Sequence, residues 1–192
     1  MVKIDKINEK LSLGILDLQQ FIEEGKILTK REAEKKGVQF LLSKMLDNRL
    51  FELCYTPEKK PYLAGENIHI SISHSHDKLV ILTNNNESTG VDIELLRDKV
   101  INIQSKFLNE EELACCKNNI EMLTLFWSVK ESVYKAYGRK MLDFIRHIRV
   151  KKPMPEKNQI EAALILPNYH KEYLLHYEKR ENYILTYILN EI

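Results

Sequence analysis

Hydrophobic and polar residues alternate along this chain in patterns that predict distinct helices and strands. Residues 1–28 show only a weak, mixed pattern. In residues 29–47, apolar side chains recur at steps of three and four, which predicts a helix with Thr29 as its N-cap and Glu32 as the capping-box partner. Residues 56–65 contain two prolines and a glycine, and we expect a turn-rich loop there.

Three strands are predicted in the middle of the chain. In residues 68–75, IHISISHS, isoleucines alternate with polar residues, so this strand should have one apolar face. Residues 79–83 are a second, short apolar strand, and residues 91–95, VDIEL, are a third. The segment between them, 84–90, reads NNNESTG and is interpreted as a hairpin-like turn.

The second half of the sequence combines helices with further strands. Residues 107–116 predict a helix capped by Asn109, and residues 120–137 predict a longer one with Gly138 just beyond its end. Four strand-like runs follow, each bounded by polar or proline-containing loops, at 145–150, 160–166, 173–177 and 183–189. The fold class predicted from these patterns is α+β with antiparallel strands.

Composition narrows the function mainly by exclusion. The chain has 192 residues, of which 44% are hydrophobic, enough for a real core in one domain or two small ones. Its net charge of +1 argues against a nucleic-acid binder. No stretch approaches the roughly 18 apolar residues of a membrane span, and three cysteines suit a reducing compartment better than a disulfide framework. We therefore expect a cytoplasmic protein without membrane contact.

Asp92 and Glu94 are the first candidate functional pair. They lie two positions apart on a predicted strand, so both carboxylates face the same side. Converging carboxylates repel each other unless a cation lies between them, and oxygen ligands select a hard cation such as Mg²⁺. The alternative is a solvated edge strand with two free acids, and the pattern alone leaves both possibilities open.

A second candidate cluster lies on the helix predicted at 120–137. Glu131 and Lys135 are four positions apart and share one helix face, while Lys130 lies about 100° away around the axis. An ordinary surface ion pair would explain Glu131 and Lys135. If the ligand carries phosphate, however, the glutamate would complete a metal site and the lysines would neutralise phosphate oxygens.

The segment SISHSHD, residues 71–77, contains the third cluster. Serines next to histidines suggest a hydrolase, but the segment lacks a G-x-S-x-G motif. The spacing of His69, His74 and His76 is not a standard zinc pattern either. His74, at the end of a strand and near basic residues, is better interpreted as a donor to phosphate.

In combination, these motifs resemble the 4′-phosphopantetheinyl transferase superfamily. The resemblance rests on three ordered blocks, KKPYL and ISISHS within 59–75, GVDIE at 90–94 and FWSVKESVYKAYG at 126–138. With the helix from Lys30, the resemblance extends over most of residues 30–140. The chain departs from the family at Gln39, where several relatives have arginine, and at 59–61, where the family's GKP is KKP.

The resemblance implies both a fold and an activity. The fold would be a compact surfactin-synthetase-type transferase with two similar α+β halves, 1–86 and 87–192, and an active site in the cleft between them. Such enzymes transfer the 4′-phosphopantetheine arm of coenzyme A to a serine of an apo acyl or peptidyl carrier protein and release adenosine 3′,5′-bisphosphate. Mg²⁺, or alternatively Mn²⁺, would be the cofactor, coenzyme A the co-substrate, and a monomer the expected state.

Roles for individual residues follow from the same resemblance. Asp92, Glu94 and Glu131 would bind the metal. Glu131 would also be a candidate base for the acceptor serine, and Lys135 would assist the leaving group. The implied contacts to coenzyme A are Lys30, Arg31, Lys60, Ser73, His74 and Lys130.

Two further expectations concern partners. Residues 95–107 combine apolar side chains with Arg97, Lys99 and Lys106 directly after the metal strand, so we expect this segment to dock an acidic carrier protein. The alternative function is a catalytically silent homologue that only binds coenzyme A or a carrier protein. Loss of a metal carboxylate or of the helix lysine would mark such a homologue, and the sequence retains them all.

Overall fold

A computed structural model describes residues 1–21 and 29–192, which form two compact units, Met1–Thr89 and Gly90–Ile192. Each unit contains an antiparallel sheet and a hydrophobic core of its own. The predicted α+β class with antiparallel strands is therefore confirmed. The implied similarity of two halves, their division at 86/87 and the cleft stay predictions.

In its described residues, 1–21 and 29–89, the N-terminal unit has a six-stranded sheet and one α-helix. Its strands are β1 (Val2–Lys6), β2 (Leu11–Asp17), β3 (Leu53–Tyr55), β4 (Pro61–Leu63), β5 (His69–Ser75) and β6 (Lys78–Asn84), in the spatial order β1-β2-β6-β5-β4-β3. The sequence pattern did not predict β1 and β2. The reason is that β1 is a largely exposed edge strand and β2 is buried along both faces, so neither shows the alternation of a half-buried strand.

The helix of this unit, α1 (Lys30–Met45), begins at the predicted capping box. The Thr29 side chain accepts a hydrogen bond from the Glu32 backbone N–H, and the Glu32 carboxylate accepts one from the Thr29 backbone N–H. One face of α1 packs on β2 and β6 through Leu41 and Leu42, which are fully buried. The opposite face therefore presents the basic residues of α1 to solvent.

The C-terminal unit places one long helix on a five-stranded sheet. The strands are β7 (Val91–Leu95), β8 (Ile148–Val150), β9 (Gln159–Leu166), β10 (Tyr169–Arg180) and β11 (Tyr183–Glu191), in the order β7-β11-β10-β9-β8. The helices are α2 (Lys99–Ile103), α3 (Glu110–Cys116), α4 (Ile120–Tyr137) and α5 (Phe144–His147). Helix α4 packs on β7 and β11, and its buried side chains form the core with those of the strands.

Several local predictions are wrong or incomplete. Residues 84–90 are not a hairpin turn, because β6 and β7 belong to different sheets. The strand predicted at 145–150 is correct only for its second half, β8, because residues 145–147 belong to α5. The Asp143 carboxylate caps this helical turn by accepting hydrogen bonds from two backbone N–H groups. The predicted helix at 107–116 starts only at Glu110, after its Asn109 cap, and the loop at 56–65 contains β4.

Gly90 allows α4 to lie directly against the start of β7. A Cβ atom at this position would lie 1.8 Å from the backbone oxygen of Ser132 and 3.1 Å from the backbone nitrogen of Ala136. Replacing Gly90 by alanine is therefore expected to displace α4 and to lower the free energy of unfolding by about 2–3 kcal/mol. Urea unfolding followed by circular dichroism measures this loss.

Gly14 provides the matched control for that substitution. It is also buried in a strand beneath a helix, but a Cβ there would meet the Sδ atom of Met45 at 2.5 Å, the flexible end of a side chain that can move aside. We expect Gly14→Ala to lower the free energy of unfolding clearly less than Gly90→Ala does. Equal losses in the two variants would contradict the close helix contact.

Candidate active site

Strand β7 and helix α4 bring the predicted carboxylates and Lys135 into one region of the C-terminal unit. Asp92 and Glu94 share one face of β7, which is the edge strand of its sheet. Glu131 and Lys135 lie one turn apart on α4, the helix that packs on β7. The two pairs come from segments that are far apart along the chain, with 43 positions between Asp92 and Lys135, so the fold itself assembles the cluster.

Lys135 forms its short ion pair with Asp92. The Lys135 Nζ atom lies 2.7 Å from Asp92 Oδ1 and donates a second hydrogen bond to the backbone oxygen of Val91 at 3.1 Å. The Asp92 side chain is only 3% exposed, whereas that of Lys135 is 24% exposed. Asp92 is therefore not the solvated acid of the alternative interpretation, and the ammonium group can still reach a ligand.

Glu94 is oriented by the indole of Trp127. The Trp127 Nε1–H group donates to Glu94 Oε1 at 3.1 Å. The indole in turn packs edge-on against the ring of Phe107, with a centroid separation of 5.0 Å, and lies 5.7 Å from the ring of Phe144. Trp127 thus has a role in the site that the sequence analysis did not assign.

Glu131 is half-buried, and its surroundings raise the pKa of its carboxyl group to about 7. Burial is the main cause, and the negative charges of Asp92 and Glu94 add to it, while Lys135 acts in the opposite direction. The three carboxylates are consequently close enough to repel one another. A group at this pKa can both accept and release a proton near neutral pH.

A divalent cation would relieve this repulsion, and the chemistry of the three carboxylates fits Mg²⁺. As the side chains stand, however, no group of three metal-ligating side chains within residues 1–21 and 29–192 is arranged to hold a metal ion. Two of the three carboxylates also hydrogen-bond within the protein, Asp92 to Lys135 and Glu94 to Trp127, each through one of its oxygens. The donor chemistry is therefore suitable for Mg²⁺.

The N-terminal unit contains a basic pocket of about 570 Å³ between α1 and the strands β3 to β5. It brings together two of the predicted coenzyme A contacts, Arg31 and His74. The lining also includes Lys35 and Lys59, which the sequence analysis missed, and Gln39. The pocket is thus suited to an anion.

The remaining predicted contacts of this unit lie in other surroundings. Lys30 is exposed at the start of α1, 3.9 Å from the carboxylate of Glu34. The Lys60 ammonium donates to the Ser88 hydroxyl at 2.6 Å, and Ser73 is buried in β5. Among the described residues that line the pocket, Lys59 rather than Lys60 supplies the charge of the KKP segment. The roles of Lys30, Lys60 and Ser73 stay predictions.

Comparison with known proteins places this geometry in a family. The model of the 4′-phosphopantetheinyl transferase superfamily matches residues 88–188, just over half of the chain, which include β7, α4 and all three carboxylates. The chain belongs to this superfamily. The 4′-phosphopantetheinyl transferase gsp of Aneurinibacillus migulanus is 32% identical over 114 residues, which cover 57% of this chain and 45% of that protein. The match thus spans less than half of the length of this relative.

The surroundings of Lys130 differ from those expected of a phosphate contact. Its side chain is fully buried and the ammonium group donates to Glu112 Oε2 at 2.7 Å and to the backbone oxygens of Phe144 and Ile148, both at 2.9 Å. With its three donors used inside the core, the ammonium group has none to offer a phosphate. The structure therefore contradicts the predicted phosphate contact of Lys130 and assigns this residue to the core.

A cluster of buried hydroxyl groups fixes the transferase helix α4 to β11. The Thr186 hydroxyl lies 2.9 Å from that of Ser128 and 2.8 Å from that of Ser132. Thr186 is also the cross-strand partner of Asp92. Sequence analysis missed this cluster, although the spacing of the two serines, four positions apart on a helix, is a usable signal.

The helices were compared with the requirements of a membrane span. Within residues 1–21 and 29–192, no helix combines the length and the apolar character that a bilayer-crossing helix requires. The three cysteines, Cys54, Cys115 and Cys116, are free thiols, and Cys116 is buried.

Proposed function

We propose that this chain transfers the 4′-phosphopantetheine arm of coenzyme A to a serine of an apo acyl or peptidyl carrier protein and releases adenosine 3′,5′-bisphosphate. The proposal depends above all on the convergence of three carboxylates and Lys135 where α4 packs on β7. This region lies within the family match, and the relative from Aneurinibacillus migulanus is named for the same activity.

The chemistry of the transfer suits these side chains. The serine oxygen forms a bond to the phosphorus next to pantetheine, and the bond from that phosphorus to the bridging oxygen breaks. Such a reaction requires alignment and charge neutralisation more than covalent participation by the protein. Glu131 would accept the serine proton, and Lys135 would neutralise charge on the departing pyrophosphate oxygen.

Asp92, Glu94 and Glu131 would hold Mg²⁺. The bound cation supplies charge neutralisation at the pyrophosphate. Lys135 contributes the same kind of stabilisation from the protein side, and its side chain is exposed enough to do so. The variant Glu131→Gln tests whether Glu131 is the base or only a metal ligand. If Glu131 is the base, the variant should lose transfer rate far more than affinity for coenzyme A.

The basic pocket of the N-terminal unit is the proposed site for the phosphates of the nucleotide end of coenzyme A. Arg31, Lys35, Lys59 and His74 line it, and the start of α1 adds backbone N–H groups near Lys30. Lys60 and Ser73 are also proposed to contact coenzyme A, because the family resemblance implies it. A monomeric state is proposed from the same resemblance, and a cytoplasmic location from the composition and the three cysteines.

The transfer can be tested through its nucleotide product. Coenzyme A and an apo acyl carrier protein are incubated with the chain, and adenosine 3′,5′-bisphosphate is quantified by chromatography. We expect release that requires the carrier protein and stops when EDTA removes divalent cations. A silent homologue, the second candidate function, would bind coenzyme A without releasing this product. The retained carboxylates and Lys135 favour the active enzyme.

Residues 95–107 are proposed to dock the carrier protein. Arg97 and Lys99 are exposed on either side of the start of α2. Ile103 and Lys106 border an apolar pocket of about 500 Å³ that also contains Trp127. An acidic, amphipathic partner would match this combination of positive charge and apolar surface.

Reversing the charge in this segment should weaken binding of the carrier protein and leave binding of coenzyme A unchanged. In the double variant Arg97→Glu with Lys99→Glu, we expect the KM for the carrier protein to rise about tenfold, because two attractive charges become repulsive. Steady-state kinetics and calorimetry with coenzyme A measure the two effects. Lys152→Glu with Lys157→Glu, at two exposed lysines of the same unit, is the charge-matched control. An unchanged carrier KM would exclude this docking segment.

A further inference from the structure

Within the basic pocket of the N-terminal unit, Glu34 contacts the histidine predicted to bind phosphate. Glu34 Oε1 lies 3.3 Å from His74 Nδ1, and the Lys30 ammonium lies 3.9 Å from the same oxygen. The Glu34 side chain is 17% exposed and that of His74 is 47% exposed. The carboxylate therefore lies inside the pocket wall, whereas the imidazole reaches toward solvent.

A carboxylate in this position has a cost for anion binding. Among the described residues that line the pocket, Arg31, Lys35 and Lys59 are positive and Glu34 is the negative one. Its charge offsets one of these cations and repels a phosphate group. A pocket that only attracted anions would be better without Glu34, so the contact with His74 needs an explanation.

The explanation lies in the two nitrogens of the imidazole. A neutral ring that donates from Nδ1 has an acceptor at Nε2, which would face a phosphate oxygen with a lone pair. A protonated ring donates from both nitrogens. The basic groups of this pocket lie on α1, at Lys30, Arg31 and Lys35, and beside β4, at Lys59, and the Glu34 carboxylate contacts the Nδ1 side of the ring.

We propose that Glu34 is a positioning residue that holds the His74 ring at Nδ1, so that the ring lies between two anions and presents Nε2–H to a phosphate oxygen of coenzyme A. This inference rests on the proposed function, because it takes coenzyme A as the ligand. Simple repulsion by Glu34 would weaken anion binding, whereas the proposed role of Glu34 strengthens it. Removal of the carboxylate charge should weaken anion binding rather than strengthen it.

Calorimetric titration of coenzyme A, without metal ion or carrier protein, tests the proposal. At pH 6.5, we expect Glu34→Gln to weaken binding about fivefold, and His74→Ala to weaken it at least as much. The double variant should bind no more weakly than His74→Ala alone, because Glu34 acts through the histidine. Glu58→Gln, on the exposed loop beside Lys59, removes the same charge without touching His74 and should bind like the unaltered chain.

The imidazole signals of His74 give a second readout that needs no ligand. Followed by nuclear magnetic resonance at constant pH, the Nδ1 signal should shift in Glu34→Gln and stay unchanged in Glu58→Gln. An unchanged Nδ1 signal in Glu34→Gln, equal or tighter binding by Glu34→Gln, or additive losses in the double variant would each overturn the inference while leaving the proposed function intact. An unaltered chain that fails to bind coenzyme A would overturn both.

Discussion

Replacement of Asp92 by asparagine is expected to lower kcat/KM for transfer to the carrier protein about a thousandfold. Asparagine has almost the same shape, so the buried position on β7 stays filled, but the charge that pairs with Lys135 at 2.7 Å is lost. The same change removes one of the three carboxylates proposed to hold Mg²⁺. Initial rates measured over a range of Mg²⁺ concentrations should show a lower maximum and a higher Mg²⁺ requirement.

Glu156→Gln is the charge-matched control for this variant. Glu156 is exposed in the same unit, so its loss removes the same charge outside both the carboxylate cluster and the docking segment. We expect Glu156→Gln to retain nearly full activity and both variants to retain most of their affinity for coenzyme A. Near-normal transfer by Asp92→Asn would show that the catalytic cluster lies elsewhere.

Lys130→Met is expected to lower the free energy of unfolding by about 3–5 kcal/mol, because it leaves a buried charge uncompensated. Glu112 is 3% exposed and would lose its ammonium partner, while two backbone oxygens would lose their donor. Burial lowers the pKa of Lys130, and the Glu112 carboxylate opposes this effect. Chemical denaturation monitored by the fluorescence of Trp127, the one tryptophan of the chain, measures the change in stability.

A second substitution distinguishes this structural role from phosphate binding. In Lys130→Met with Glu112→Gln, the uncompensated charge is gone, so part of the lost stability should return. A phosphate contact would behave differently, since Lys130→Met would then weaken coenzyme A binding with little loss of stability. That second outcome would restore the interpretation made from the sequence and contradict the buried pair.

The features predicted correctly from the sequence depend on neighbours along the chain. Helix α4 has the predicted bounds because its apolar periodicity is regular and Gly138 ends it in the left-handed conformation, at φ 66°. Asp92 and Glu94 share a face because every strand alternates its side chains. These relations need no knowledge of tertiary structure.

The features missed or wrongly predicted depend on distant partners. The sequence predicts that Lys130 is available to a ligand, because its partner, Glu112, lies 18 positions earlier on another helix. Helical spacing pairs Lys135 with Glu131, but its short contact is with Asp92, 43 positions away. The sequence indicates Lys60 as the contact of the KKP motif, whereas Lys59, which has a left-handed backbone at φ 70°, lines the pocket. Tertiary contacts and turn geometry decide such cases.

Intact-mass spectrometry of an apo acyl carrier protein, incubated with this chain, Mg²⁺ and coenzyme A, tests the central claim most directly. The proposed activity predicts that the carrier protein gains the mass of one phosphopantetheine group, and that a carrier whose acceptor serine is replaced by alanine gains nothing. A mass that stays unchanged with both acyl and peptidyl carrier proteins, while coenzyme A still binds, would contradict the transferase and identify a silent homologue.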